Sequence, residues 1–165
     1  TLNPVEEDYF IDKDISVRSY LSEIISSFKE ISKKKFIFNF DQDSNPKKIT
    51  KSIEIVYGLR NFIGNANKFA QSTVFINLKS DSEITEIIIE DDGEGYPRDI
   101  LSKIGEPYLK SNYSKNKSKE GLGLGLFIGK NLLEKNFATL NCRNSKTRSG
   151  AEVIVQWKNR DLFNI

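Results

Sequence analysis

Three short segments of the chain hold residue types whose spacing could do chemistry. Asn61, Asn65 and Lys68 recur at i, i+4 and i+7, so on a helix they would share one face. Two carboxamide oxygens can serve a hard cation, and an ammonium three residues on can balance phosphate charge; the plain alternative is a solvent face. Asp91-x-Gly93-x-Gly95 follows an apolar run. There a buried carboxylate could accept a hydrogen bond from an exocyclic amine while glycines let backbone approach a flat ring, unless the segment is an ordinary tight turn. Gly121-Leu122-Gly123-Leu124-Gly125 opens a further apolar pattern. At a helix start it would present backbone donors and the positive end of the helix dipole to an anion; otherwise it is a flexible hinge.

Two common phosphate-binding templates do not fit. The only Gly-Lys pair, Gly129-Lys130, has Leu124 where a P-loop needs its first glycine and Asn131 where it needs a hydroxyl. A dinucleotide fingerprint should follow a strand, but Gly121 follows a lysine-rich loop, and Ile128 stands where the third glycine belongs.

The elements that must position these segments are legible from periodicity. From Asp14 onward, Val17, Leu21, Ile24, Ile25, Phe28 and Ile31 fall on one face of a helix. Phe36, Phe38 and Phe40 alternate with Ile37 and Asn39 as in a strand, and Asn45-Pro46 breaks the chain. A second long helix is expected over about Thr50 to Gln71, carrying the Asn/Lys row. Val74–Leu78 and Glu83–Ile89 read as a hairpin whose second strand runs into Asp91. After a polar stretch with Pro97, Gly105 and Pro107, another helix is marked by Leu126, Ile128, Leu132 and Leu133. Thr139–Cys142 and Glu152–Trp157 close the chain as a hairpin through Ser149-Gly150. This order predicts an α+β fold, a two-layer sandwich of a mixed β-sheet with helices on one face. Residues 1–13 read as a linker, 14–160 as the domain and 161–165 as a tail.

Composition narrows the function classes. A net charge of +2 carries no general nucleic-acid footprint, and no apolar run approaches the roughly 20 residues needed to span a bilayer. Cys142 is alone, so no intrachain disulfide or cysteine-rich zinc site can form, and in its apolar surroundings it reads as buried filler. The basic stretch Lys110–Lys119 has almost no apolar residues and reads as a solvated, mobile loop. The chain begins at Thr1 and contains no Met, which suggests a piece of a longer protein, and it contains no His.

Taken in this order, the three segments resemble the N, G1 and G2 boxes of the GHKL superfamily of ATP-binding domains, over about residues 14 to 158. The superfamily joins gyrase, heat-shock chaperones, histidine kinases and mismatch-repair proteins, and the fold it implies is the Bergerat ATP-binding sandwich. The resemblance implies Mg²⁺ coordination by Asn65, with Asn61 and Lys68 as the catalytic pair near the phosphates and Asp91 reading the adenine amino group. Gly93 and Gly95 would support the adenine pocket, while Gly121, Leu122, Gly123, Leu124 and Gly125 would approach the triphosphate. Pro97 to Glu120 would be the mobile ATP lid, with Tyr108 near the place of the aromatic F box.

The position four residues before Asn65 discriminates among members. ATP-hydrolysing members and anti-sigma serine kinases of the superfamily have Glu there as general base. Asn61 cannot accept a proton at neutral pH, and Asn at this place is common in sensor histidine kinases. Tyr57 to Ala70, Gly105-Glu-Pro-Tyr108 and Gly121 to Ile128 are similar to the RegB/PrrB group of redox-responsive sensor kinases. That resemblance implies a domain that binds ATP and Mg²⁺ and donates the γ-phosphoryl group to a histidine on a separate dimerisation domain, serving a response regulator indirectly. It also implies a cytoplasmic domain of an inner-membrane sensor, with no membrane insertion by this segment. The alternative is a regulatory module that holds ATP without phosphotransfer.

Overall fold

The computed structural model describes residues 14–41, 47–50, 52–102 and 122–162. The linker 1–13, Asn45-Pro46, most of the expected lid with Tyr108, and Gly121 lie outside the described residues. In chain order the elements are β1 (Asp14–Ser16), α1 (Val17–Lys29), β2 (Lys35–Phe40), β3 (Lys48–Thr50), α2 (Ile53–Phe69), β4 (Thr73–Ser80) and β5 (Ile84–Asp91). They continue with α3 (Arg98–Leu101), α4 (Leu122–Lys135), β6 (Thr139–Asn144), β7 (Ala151–Lys158) and a 3₁₀ turn (Asn159–Asp161).

Alternation of apolar residues along the strands decides which face of the sheet is buried. The strand order is β2-β4-β5-β7-β6; β2 runs parallel to β4 and the other neighbours are antiparallel, so the sheet is mixed as expected. Val74, Ile76 and Leu78, Ile87 and Ile89, and Val153, Val155 and Trp157 share one face and are buried. The helices cover that face in a single core. Trp157 donates its indole N–H to the Asn136 carbonyl at 2.9 Å, which ties β7 to the end of α4.

The sequence reading holds for the long elements and departs from the structure at short ones. The first helix starts at Val17 rather than Asp14, because Ser16 is extended and its hydroxyl caps the Ser19 amide at 3.1 Å. It stops at Lys29, so Ile31 falls beyond the helical row and is 80% exposed. The second helix is shorter than the expected Thr50–Gln71: Ser52 caps its start, and Lys48–Thr50 instead pairs antiparallel with Asp14–Ser16. Packing continues past residue 160, since Leu162 is buried and its carbonyl accepts from the Thr50 amide.

The contact between α2 and α4 sets the geometry of everything above it. A Cβ placed at Gly58 would lie 2.7 Å from Leu133 Cγ, and one at Gly129 would lie 2.8 Å from the Phe62 ring and 3.2 Å from Asn61 Cβ. Two glycines therefore let the helices approach more closely than side chains would permit. Gly58→Leu introduces a better helix former but overfills this crossing, and on balance it should destabilise the chain by about 1–3 kcal/mol. A urea melt reads this as a lower midpoint at unchanged slope; an unchanged midpoint would show that the helices separate freely here.

Candidate functional site

The close crossing of the helices brings α2's asparagines to the start of α4. A Cβ placed at Gly125 would lie 3.5 Å from Asn65 Nδ2 and 3.7 Å from Asn61 Oδ1, an ordinary contact distance. Leu122, Gly123, Leu124 and Gly125 form the first turn of α4, so this part of the glycine-rich segment belongs to the helix. Asn61 donates its Nδ2 to the Tyr57 carbonyl at 2.8 Å, which fixes the carboxamide. The Nδ2 of Asn65 is buried and has no hydrogen-bond partner among the described residues. A buried donor without an acceptor costs about 1–3 kcal/mol, a cost that a ligand oxygen at this point would remove. Lys68, one turn beyond Asn65, is exposed and holds its ammonium 5.3 Å from the ring centroid of Phe69.

Asp91 closes the other end of the site. It is the last residue of β5 and only 3% exposed, and its Oδ1 accepts from the Gly93 amide at 2.8 Å. A Cβ at Gly150 would lie 2.3 Å from that same oxygen, and one at Gly93 would lie 2.1 Å from the Phe69 carbonyl. Glycine at both places is thus a matter of space: β7's first turn and α2's last turn both press against the carboxyl-bearing strand end. Gly95 is held at φ +79°, a backbone conformation natural to glycine.

Between Asn65 and Asp91 lies a cleft lined by Phe62, Asn65, Ala66, Phe69, Ile89, Asp91, Gly95, Tyr96, Ala151 and Val153. Its walls are apolar or aromatic, with polar groups at two points, which is the usual make-up of a small-molecule site. The slot and its single carboxyl fit a flat base bearing an amine; the orphaned Asn65 amide beside Gly125 fits phosphate oxygens. Among the described residues no cluster of three or more His, Cys, Asp or Glu is placed to hold a metal.

Among the features not read as part of a site from sequence are Tyr96 and Phe69, which line the cleft, and Gly150, which presses on Asp91. Tyr96 is buried, and burial pushes its hydroxyl well above the ordinary value, with Cys142 and Asp91 nearby adding to the rise. Gly150 was legible only as a turn, because nothing local reveals that the turn touches Asp91. Cys142 is pushed up to about 12 by burial, which agrees with a packed and unreactive thiol.

Asp92, next to Asp91, anchors the turn from outside. Its Oδ1 accepts from the amides of Ser72 at 2.9 Å and Thr73 at 3.1 Å, and its Oδ2 accepts from the Ser72 hydroxyl at 2.5 Å. Burial alone would raise this carboxyl. The Ser72 hydroxyl and the amides of Ser72, Thr73 and Gln71 outweigh it and hold the group down at about 2.

Comparison with known proteins follows the same lines. Residues 50–161 match the family described as histidine kinase-, DNA gyrase B-, and HSP90-like ATPase. The chain is 39% identical over 130 residues to sensor histidine kinase RegB of Cereibacter sphaeroides, covering 70% of this chain and 28% of that protein. It is 32% identical over 99 residues to sensor protein RstB of Escherichia coli, covering 60% of this chain and 23% of that protein. The chain thus spans about a quarter of the length of these curated relatives. Among solved structures, the catalytic domain of histidine kinase ThkA superposes with a TM-score of 0.72 at 18% identity, covering 88% of this chain and 96% of that one. Mycobacterial sensor histidine kinase MprB gives 0.69 at 18% identity, covering 89% and 97%.

Because the folded-state value of Asp92 lies below that of an unfolded Asp, its contribution to stability is present above about pH 4 and is lost as pH falls towards 2. Asp92→Asn should destabilise the chain by about 1 kcal/mol at pH 7, allowing for solvent screening of this half-exposed group. Urea melts of parent and variant should converge as pH falls from about 4 to about 2; a constant gap across that range would show that the charge is not what holds the turn.

Proposed function

The chain belongs to the family of histidine kinase-, DNA gyrase B-, and HSP90-like ATPases, and within it we propose that it is the ATP-binding catalytic domain of a sensor histidine kinase. In this reading it holds Mg-ATP in the cleft and donates the γ-phosphoryl group to a histidine on a separate dimerisation domain, from which a response regulator is served. The observation that carries the reading is the pairing of a buried Asp91 at one end of an apolar slot with an orphaned, buried Asn65 amide facing Gly125 at the other.

Each residue then has a role its surroundings support. Asp91 accepts the adenine amino group while Gly93 and Gly95 keep the backbone low around the ring. A GTP base would set its O6 acceptor against the same carboxyl, so adenine is preferred. Asn65 serves the metal and the phosphates, and Asn61 beside it completes the pair that faces Gly125. Lys68 adds positive charge from the rim, and the glycine-rich first turn of α4 presents backbone donors at the positive end of a 14-residue helix. Bound Mg²⁺ would offset the charge of the phosphate oxygens. Asn61 cannot take a proton from water, so this site positions a phosphoryl group without activating water to destroy it.

An apolar surface beside the site supports a protein acceptor. Ile53 and Tyr57 on α2 are 70% and 56% exposed, and Leu124 and Ile128 on α4 are 37% and 39% exposed. These residues sit on the two helices that meet at Asn61 and Asn65, one or two turns from the asparagines. The dimerisation domain's histidine helix would seat here, bringing the imidazole in line with the γ-phosphate. No helix among the described residues is long and apolar enough to cross a membrane, and we place the domain on the cytoplasmic side of its parent sensor.

Asn65→Ala and Asp91→Asn should each weaken Mg-ATP binding by about 1–3 kcal/mol in calorimetric titration, the penalty for removing one partner of a buried hydrogen bond. Parent-like affinity in both variants would sink the assignment. Because the chain contains no His, γ-labelled ATP should leave no acid-labile label on it alone but should label the cognate dimerisation domain supplied in trans. The double variant Tyr57→Glu/Ile128→Glu should keep ATP affinity and lose that transfer by at least about tenfold. Tight ATP binding with no acceptor labelling at all would favour the regulatory module that holds ATP without phosphotransfer.

A further inference from the structure

Taking the cleft as an adenine-nucleotide site, we propose that Asn144 is a positioning residue for base recognition, acting through Gly95 and Tyr96. Asn144 is the last residue of β6, and its register partner on β7 is Ala151, which lines the cleft. Its side chain reaches across to Tyr96 and makes both bonds that a neighbouring strand would make. The Tyr96 amide donates to Asn144 Oδ1 at 2.6 Å, and Asn144 Nδ2 donates to the Tyr96 carbonyl at 3.0 Å. A carboxamide of this length is the side chain that offers a donor and an acceptor side by side for such a bidentate grip.

The segment it grips belongs to no helix or strand, although Tyr96 itself is buried in the core. Residues 94–97 lie between the end of β5 and the start of α3 in neither helix nor strand. Gly95 is shaped to the same grip: a Cβ there would lie 2.7 Å from Asn144 Oδ1 and 3.2 Å from the Ser149 carbonyl. Farther along the hairpin, the Ser149 hydroxyl donates to the Gly93 carbonyl at 3.3 Å, and the Ser145 amide donates to the Gly150 carbonyl at 2.8 Å, which closes the loop. The β6–β7 hairpin is therefore a brace built against residues 93–96, and Asn144 supplies its only two-point contact with Tyr96 among the bonds described. Without it, Gly95 and Tyr96 would leave the wall of the cleft for part of the time, and the apparent affinity would fall by the fraction of chains that remain competent. That loss falls on the base and not on the phosphates.

The test uses the 165-residue chain and two variants, Asn144→Ala and the isosteric Asn144→Asp. The aspartate keeps an acceptor for the Tyr96 amide but turns a carboxylate oxygen on the Tyr96 carbonyl, so it serves if the alanine variant does not fold. Both should raise the dissociation constants of ATP, ADP and adenosine by one common factor of about tenfold. Hydrogen exchange of the nucleotide-free protein should show the Tyr96 amide losing about a hundredfold of its protection while the amides of Ile89 and Val153 keep theirs. Parent-like protection of Tyr96, or parent-like affinity for all three ligands, would overturn the proposal. So would a loss confined to ATP and ADP, which would place the effect at the phosphates. A parent chain that binds none of the three would overturn the nucleotide reading itself, a result distinct from a parent that binds and variants that bind equally well.

Discussion

A carboxyl group that is withdrawn from water at the end of a central strand has to be surrounded by groups that satisfy it and backbone that leaves room for it. Asp91 imposes that constraint on this fold. Its oxygen takes the Gly93 amide, and the close approach of Gly150 and of the α2 terminus at Phe69 leaves no space for side chains at residues 93 and 150. The outward turn is then fixed by Asp92 through Ser72 and Thr73, so consecutive aspartates serve opposite sides of the strand end, one turned into the cleft and one anchoring the chain outside it. Under the proposed function, any selectivity of Asp91 would come from its being held in place rather than from its acidity.

The second half of the site depends on the first only through α2. One 17-residue helix lines the cleft with Phe62, Asn65, Ala66 and Phe69 and also carries the glycine that admits α4. A change in the crossing of the two helices would therefore move Asn61 and Asn65 relative to Gly125 without disturbing Asp91. Under the proposed function, base recognition and phosphate handling would be mechanically separable, although they share a helix.

Much of this was legible in the sequence. The Asn61, Asn65 and Lys68 row, the strand running into Asp91 and the long helices follow from spacing and periodicity, because each rests on ten or more residues of consistent pattern or on a rare combination of polar types. The three-residue strands β1 and β3 were missed since so short a run has no period to detect, and Ile31 was placed on a buried face because an apolar row gives no notice that the helix has already ended. The glycine-rich segment was read as opening a helix, and Leu122–Gly125 do form its first turn, with Gly121 outside the described residues. Gly150, Tyr96 and Asn144 act only through partners far away in sequence, a relation that composition and spacing do not encode.

The order of strands has a consequence for how the domain is made. β4 with β5 and β6 with β7 are hairpins whose contacts are local in the chain, but the cleft lies where β5 meets β7 against α2, and β5 and β7 join segments some seventy residues apart in register pairs such as Thr85 with Trp157. Contacts of such separation form late, after the entropy of closing the intervening chain has been met. The cleft should thus be among the last parts of the domain to be completed and among the first to be lost. Any ligand that fills it draws the whole folding equilibrium towards the native state by mass action, so under the proposed function the supply of nucleotide would become a term in the lifetime of the protein.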